Sequence, residues 1–209
     1  MKKELLLILS ILLVFSTVSF SATAPTINQF ELTYNLPDSP EAKEVMKTID
    51  KAYDIEAEAA HTFDLSKFST VFINDPRFPV SPGTLETVRE LTNNPSLDSV
   101  GLLDYKMAYN SWARDAILHS EALHAKAKAE NRSLSGVERK SLVDSYGRMA
   151  PARVEGPIKK PSLTFFSVEI SDDIATAVLD DGPMTVQLTL VLVDQKWYIA
   201  AYKGLVMHP

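Results

Sequence analysis

Met184-Thr-Val-Gln-Leu-Thr-Leu-Val-Leu-Val-Asp-Gln-Lys-Trp-Tyr-Ile-Ala-Ala-Tyr202 is the stretch that decides the fold. Val186, Leu188, Leu190 and Leu192 alternate with Thr185, Gln187, Thr189, Val191 and Val193. Beyond Asp194-Gln195, Trp197, Ile199 and Ala201 alternate with Tyr198, Ala200 and Tyr202. A period of two on both sides of a short polar break predicts a hairpin of long strands, 184–193 and 196–207. Working back, 162–170 and 174–179 are two further β-runs, bounded by Ser171-Asp-Asp173 and Asp180-Asp-Gly-Pro183. The breaks are too short for crossover helices, so the four runs predict an antiparallel meander rather than βαβ units.

The chain upstream reads as helix. Ser39 is an N-cap and Pro40 suits the first helical position, where its missing N–H costs nothing. Ala42, Val45, Met46, Ile49, Ala52, Tyr53, Ala57 and Ala60 then form an apolar stripe. Phe63, Leu65, Phe68, Val71 and Phe72 supply anchors around a short turn, and Ser81-Pro82 opens a second helix ending near Asn93. The longest helix is expected over about 100–131, with Leu102, Tyr105, Tyr109, Trp112, Ala116, Leu123 and Ala127 on one side. Ser135-x-x-Glu138 is a capping box that starts another helix, to about Met149. Pro151, Pro157 and Pro161 stiffen the linker at 150–161 that leads into the sheet.

Residues 1–25 read as a signal peptide: Lys2-Lys3, an apolar run from Leu5 to Phe20, then Ser19-Phe20-Ser21-Ala22-Thr23-Ala24 for a peptidase. The run is about 16 residues, short of the roughly 20 that span a bilayer. The expectation is a protein secreted or extracytoplasmic in a bacterium, touching a membrane only through that segment if it is uncleaved. Residues 26–209 form a single α+β domain, helical over about 39–149 and sheet over about 162–207. The 209 residues contain no Cys, so stability rests on a packed core and not on disulfides. A net charge of −6 argues against nucleic acid as a partner, since that needs a clustered basic surface.

Chemistry-bearing patterns are sparse. No Gly-rich phosphate loop or Gly-x-Ser-x-Gly occurs, and there is no thiol. His119 and His124 stand about 140° apart around a helix, too far to share a metal. Asp115 and His119 are four apart and can meet, and His61 and Asp64 sit at a helix end. Both pairs read more simply as surface contacts. Asp172-Asp173 and Asp180-Asp181 read as turn residues facing solvent. No catalytic residue, metal or cofactor is assigned. The aromatic residues Tyr53, Tyr105, Tyr109, Trp112, Trp197, Tyr198 and Tyr202 are read first as core. If a pocket exists, it lies where Gln187, Tyr198 and Tyr202 share a sheet face toward the helix carrying Tyr53.

Two segments carry a resemblance. The Tyr-bearing first helix runs into Phe63-Asp64-Leu65-x-x-Phe68-x-x-Val71-Phe72, and the sheet ends in Val191-Leu-Val-Asp-Gln-Lys-Trp-Tyr-Ile199. Helices followed by such a hairpin resemble the nuclear transport factor 2-like, or SnoaL-like, fold. The pattern is also similar to the region preceding the amidase domain of some secreted Firmicute proteins. The resemblance implies N-terminal helices packed on a C-terminal curved antiparallel sheet, cone-like, with a pocket. It implies a non-catalytic binding or interaction module at the cell envelope, engaging a small apolar ligand or an envelope protein. The alternative it carries is an isomerase, cyclase or dehydratase acting on a small apolar substrate. Residues 74–161 are longer than that plan requires.

Overall fold

Helix α1 (Pro40–Thr62) forms where the sequence supplies both a start and a stop. The Ser39 hydroxyl accepts the Ala42 N–H at 3.1 Å, and Phe63 closes the helix in the left-handed region. The computed structural model describes residues 35–146, 156 and 158–207. The signal segment, the lead-in up to residue 34, most of the 150–157 stretch and His208 lie outside the described residues. Among those described, no helix is long and apolar enough to cross a membrane.

After α1 comes a 3-10 turn (Phe68–Thr70), then α2 (Pro82–Thr92), α3 (Leu102–Ala129) and α4 (Gly136–Tyr146). Strands β1 (Thr164–Ser171), β2 (Ile174–Asp180), β3 (Met184–Val193) and β4 (Lys196–Met207) complete the chain. The sheet is a meander in the order β1-β2-β3-β4, antiparallel throughout. The fold is α+β, helices first and sheet last. The 184–193 and 196–207 strands have the expected bounds, because Asp194 and Gln195 both take positive φ (48° and 63°) and turn the hairpin in two residues. Gly182, at φ 98°, occupies a backbone region closed to most residues in the β2–β3 turn.

The core lies between α1 and one face of the sheet. Ala42, Val45, Ile49, Ala52, Ile55 and Ala59 of α1 are buried against Val168, Leu179, Val186, Leu190 and Ile199. Phe68 is 1% exposed and packs edge-on to Phe72 with ring centres 5.6 Å apart. Both sheet edges receive a short parallel bridge: Asn35 to Ser167 of β1, and Phe72 to Ile199 of β4. The second is built from Ile199 N–H to Val71 C=O at 2.8 Å and Ile73 N–H to Ile199 C=O at 3.1 Å.

β4 departs from strict alternation at two points, Ala200 and Leu205, and the first decides which residues face the core. Thr189 pairs with Ala201 while Leu190 pairs with Ile199, leaving Ala200 as an extra residue. Such a bulge reverses the inward and outward phase of the residues beyond it, here as far as Gly204. Ile199 and Tyr202 consequently share the core face, where simple alternation puts Tyr202 beside Tyr198 and away from Ile199.

α3 begins at Gly101, which has no side chain to cap it. The Asn74 side-chain oxygen takes that role by accepting the Asp104 N–H at 3.1 Å. A Cβ on Gly101 would fall within 2.7 Å of the Asn74 Cα. Gly101→Ala is expected to lower stability by about 1–3 kcal/mol through that overlap. Urea denaturation checks it, and a variant as stable as the parent would show that the two segments can separate at no cost.

Candidate functional site: a buried polar cluster and the groove beside it

Two helices of this chain carry a charged residue on an otherwise apolar stripe. Glu56 follows Tyr53 by three positions on the buried side of α1, and Lys106 follows Leu102 by four on α3. The fold brings them together. The Lys106 ammonium, 5% exposed, is ion-paired with the Glu56 carboxylate. It also stands over the rings of Phe72 (5.2 Å) and Tyr202 (5.8 Å), an arrangement that favours a cation electrostatically.

The β2–β3 turn delivers a second acid. Asp181 is 2% exposed, against the expectation that the Asp180-Asp181 pair faces solvent. The turn folds inward because both carboxylate oxygens find donors. One accepts the Tyr53 hydroxyl at 2.9 Å and the other accepts the Met184 N–H at 3.2 Å. Burial pushes the Asp181 carboxyl up from its ordinary value, and the two donated hydrogen bonds only partly offset this. Burial, then the neighbouring Asp181 charge, pushes the Tyr53 hydroxyl well above its ordinary range. Burial does the same to Tyr202, whose hydroxyl contacts the Met184 sulfur at 3.0 Å. Both tyrosines therefore remain neutral donors at physiological pH. Among the described residues, no buried side-chain nitrogen or oxygen lacks a partner.

Tyr53, Glu56, Phe72, Lys106, Leu188 and Tyr202 enclose a void of about 20 Å³. That is room for about one water molecule. The larger space lies next to it, on the outer side of β4. A groove of about 460 Å³ runs between residues 200–207 and the Phe78–Thr84 segment, with Leu102, Tyr105 and Lys106 lining its inner part. Its outer wall is tied down at two points. Arg77 bridges Asp75 and Asp173, with Nη2 and Nη1 each 2.8 Å from a carboxylate oxygen, and Val80 N–H donates to Val100 C=O at 2.9 Å. Lys106 and Tyr202 border both spaces.

Of the pocket residues expected from sequence, Tyr53 and Tyr202 come together at the void. Gln187 and Tyr198 do not join them. Gln187 pairs with Lys203 and Tyr198 with Val191, one step out of phase with the Leu188–Tyr202 pair, so they stand on the opposite face. The bulge at Ala200 is the reason. Tyr198 instead lies under the Lys196 ammonium, 4.4 Å from its ring centre. Asp115 and His119 are engaged elsewhere: Asp115 with Arg114 at 2.9 Å, and His119 edge-on to Tyr146 at 5.7 Å. Among the described residues no three His, Asp or Glu side chains gather as a metal site.

A wider cleft of about 890 Å³ lies between the end of α3 and α4, bordered by His124, Lys128, Arg132 and Arg139. Arg132 there is already held by Glu130 and Glu138, and the last carbonyls of α3 oppose an anion. The capping box anticipated at Ser135 is formed, with Ser135 N–H donating to Glu138 at 2.8 Å and Glu138 N–H donating back at 3.2 Å. These contacts organise the α3–α4 corner.

Compared with known proteins, the chain matches no family model, no curated protein and no solved structure.

Proposed function

We propose that this chain is an exported, non-catalytic binding module of the bacterial envelope, built on the SnoaL-like plan, and that it takes an apolar ligand in the groove beside β4. The observation that carries the reading is the contrast between the two spaces. The interior holds about 20 Å³ and its polar groups are mutually satisfied. The groove holds about 460 Å³, within the roughly 300–1,000 Å³ of small-molecule sites. It is walled by Phe78, Pro79, Val80, Leu102 and Leu205.

N-phenyl-1-naphthylamine, a neutral apolar fluorophore, tests this directly. Saturable binding to the folded protein is expected, weakened by Gly204→Phe, which adds bulk beside the Met184 side chain on the groove wall. Absence of saturable binding, or a signal indifferent to that substitution, would overturn the reading. For export, N-terminal sequencing of protein from culture medium is expected to start after Ser21 or Ala24. An intact Met1 there would defeat it.

A second reading, a SnoaL-like isomerase, cyclase or dehydratase, is favoured by one observation, the Tyr53–Asp181 pair inside the fold at 2.9 Å. A tyrosine donating to a buried carboxylate is a geometry suited to proton transfer. The void beside it is too small for a substrate, so we rank this reading second. Turnover of any substrate that is lost in Tyr53→Phe with folding intact would reverse the order.

A further inference from the structure

We infer that the ligand of the groove is an extended peptide with apolar side chains at alternate positions, which pairs through its backbone with the edge of β4. The inference rests on the groove-binding reading above and names the chemical class of the ligand. β4 is the last strand in the sheet order β1-β2-β3-β4, so one of its edges faces away from β3. The chain itself begins to cover that edge. Residues 71–73 run parallel to β4, and Ile199 donates to Val71 C=O and accepts from Ile73 N–H. The cover then stops, because Asn74 turns aside and its side chain caps α3. In a parallel pair both chains run the same way, so a strand continuing from Ile73 would lie beside the residues that follow Ile199. The groove beside residues 200–207 occupies that position.

The two walls offer different things. On the sheet side, among the described residues, Lys203, Gly204 and Val206 pair with β3 and make no backbone hydrogen bond toward the loop opposite. A strand edge presents N–H and C=O groups in a row, which an added strand satisfies and an alkyl chain cannot. Val206 and Met207, 47% and 61% exposed, are apolar surface on this same stretch. Gly204 carries no side chain, so another backbone can approach β4 closely there. On the loop side the backbone donors are already engaged. Phe78 N–H donates to Asp75 C=O and Val80 N–H to Val100 C=O, each at 2.9 Å, and Pro79 has no N–H. That wall contributes apolar side chains and not a second ladder, so the peptide pairs along one edge only. The bulges at Ala200 and Leu205 bound a regular stretch of four residues, 201–204, so the ladder is short and side chains in the groove supply the rest of the affinity. A second copy is the less favoured occupant, because the Phe78–Thr84 wall leaves room for a single extended segment and not for the edge of another sheet.

The probe is the neutral peptide acetyl-Thr-Val-Thr-Val-Thr-Val-Thr amide, with titration calorimetry as the readout. In an extended chain successive N–H groups point to opposite edges, so methylating the valine nitrogens blocks one edge and methylating the threonine nitrogens blocks the other. Each ladder bond is worth about twofold to tenfold in affinity. The unmethylated peptide is expected to bind, one methylated form to bind within about twofold of it, and the other at least about tenfold more weakly. Two methylated forms that behave alike, whether both bind or neither does, overturn pairing along one edge. Gly204→Phe, checked as folded by circular dichroism, should weaken the unmethylated peptide as well. A peptide that binds this variant as tightly as the parent is held elsewhere, and overturns the inference. A protein that binds N-phenyl-1-naphthylamine but no peptide overturns it while leaving the groove as a binding site. A dimer in sedimentation that takes up no peptide places a second copy on the edge, and overturns the partner peptide. If neither dye nor peptide binds, the groove reading itself falls, and this inference with it.

Discussion

Lys106→Met is expected to lower the free energy of unfolding by about 2–3 kcal/mol, because it leaves the half-buried Glu56 carboxylate without its counter-charge. The loss is large relative to the usual total stability of a domain, about 5–15 kcal/mol. The cost comes from an unmatched charge and not from lost attraction, so the remedy is specific. Adding Glu56→Leu to Lys106→Met removes the stranded carboxylate and should recover most of the loss, or exceed the parent. Urea denaturation of the four proteins, read as a double-mutant cycle, checks both statements. A Lys106→Met protein within about 1 kcal/mol of the parent would mean that water already reaches the pair.

Asp181→Ala is the second large effect. It strands the Tyr53 hydroxyl and the Met184 N–H, each worth about 1–3 kcal/mol when left unsatisfied, so a loss of about 2–6 kcal/mol is expected. Asp181→Asn behaves differently, and its signature is in pH. The folded protein holds the Asp181 proton more tightly than the unfolded chain, whose carboxyl has its ordinary value of 3.8. That contribution to stability is complete below 3.8 and is lost as pH rises through the higher folded value. The amide has no proton to lose. Asp181→Asn should therefore gain on the parent as pH rises from about 4 to 7, measured as the difference between their unfolding midpoints. A difference that stays level across that range would show that Asp181 is charged at no cost in the folded state.

The β2–β3 turn marks the limit of what the sequence discloses. Asp180-Asp-Gly-Pro183 carries the composition of a solvent-facing turn, and composition cannot say that the second acid is drawn inward by a tyrosine 128 positions away. The strands were legible because alternation is a local property, and all four fall within one or two residues of their expected bounds. The helix starts at Ser39 and Ser81 were legible for the same reason, since an N-cap is settled within three residues. Ala200 was not. Nothing in Trp197-Tyr-Ile-Ala-Ala-Tyr202 distinguishes an unbroken pleat from one with an extra residue, and that ambiguity placed Tyr198 and Gln187 with Tyr202. Tyr53 and Tyr202 stand together because Tyr202 lies on the core side once the bulge is counted. Glu56 and Lys106 did leave a signal: a charge on the apolar stripe of each of two helices. Two such interruptions of opposite sign are the mark of a buried pair, and they were readable from spacing alone.

α3 has a further mechanical property. Its first turn lines the groove through Leu102 and Tyr105, and its last turn forms the corner with α4. A continuous helix of 28 residues is a rod about 42 Å long. A pivot of about 5° at the groove end would swing the far end by about 4 Å, on that same rise per residue. One continuous element thus joins the groove at its first turn to the corner with α4 at its last.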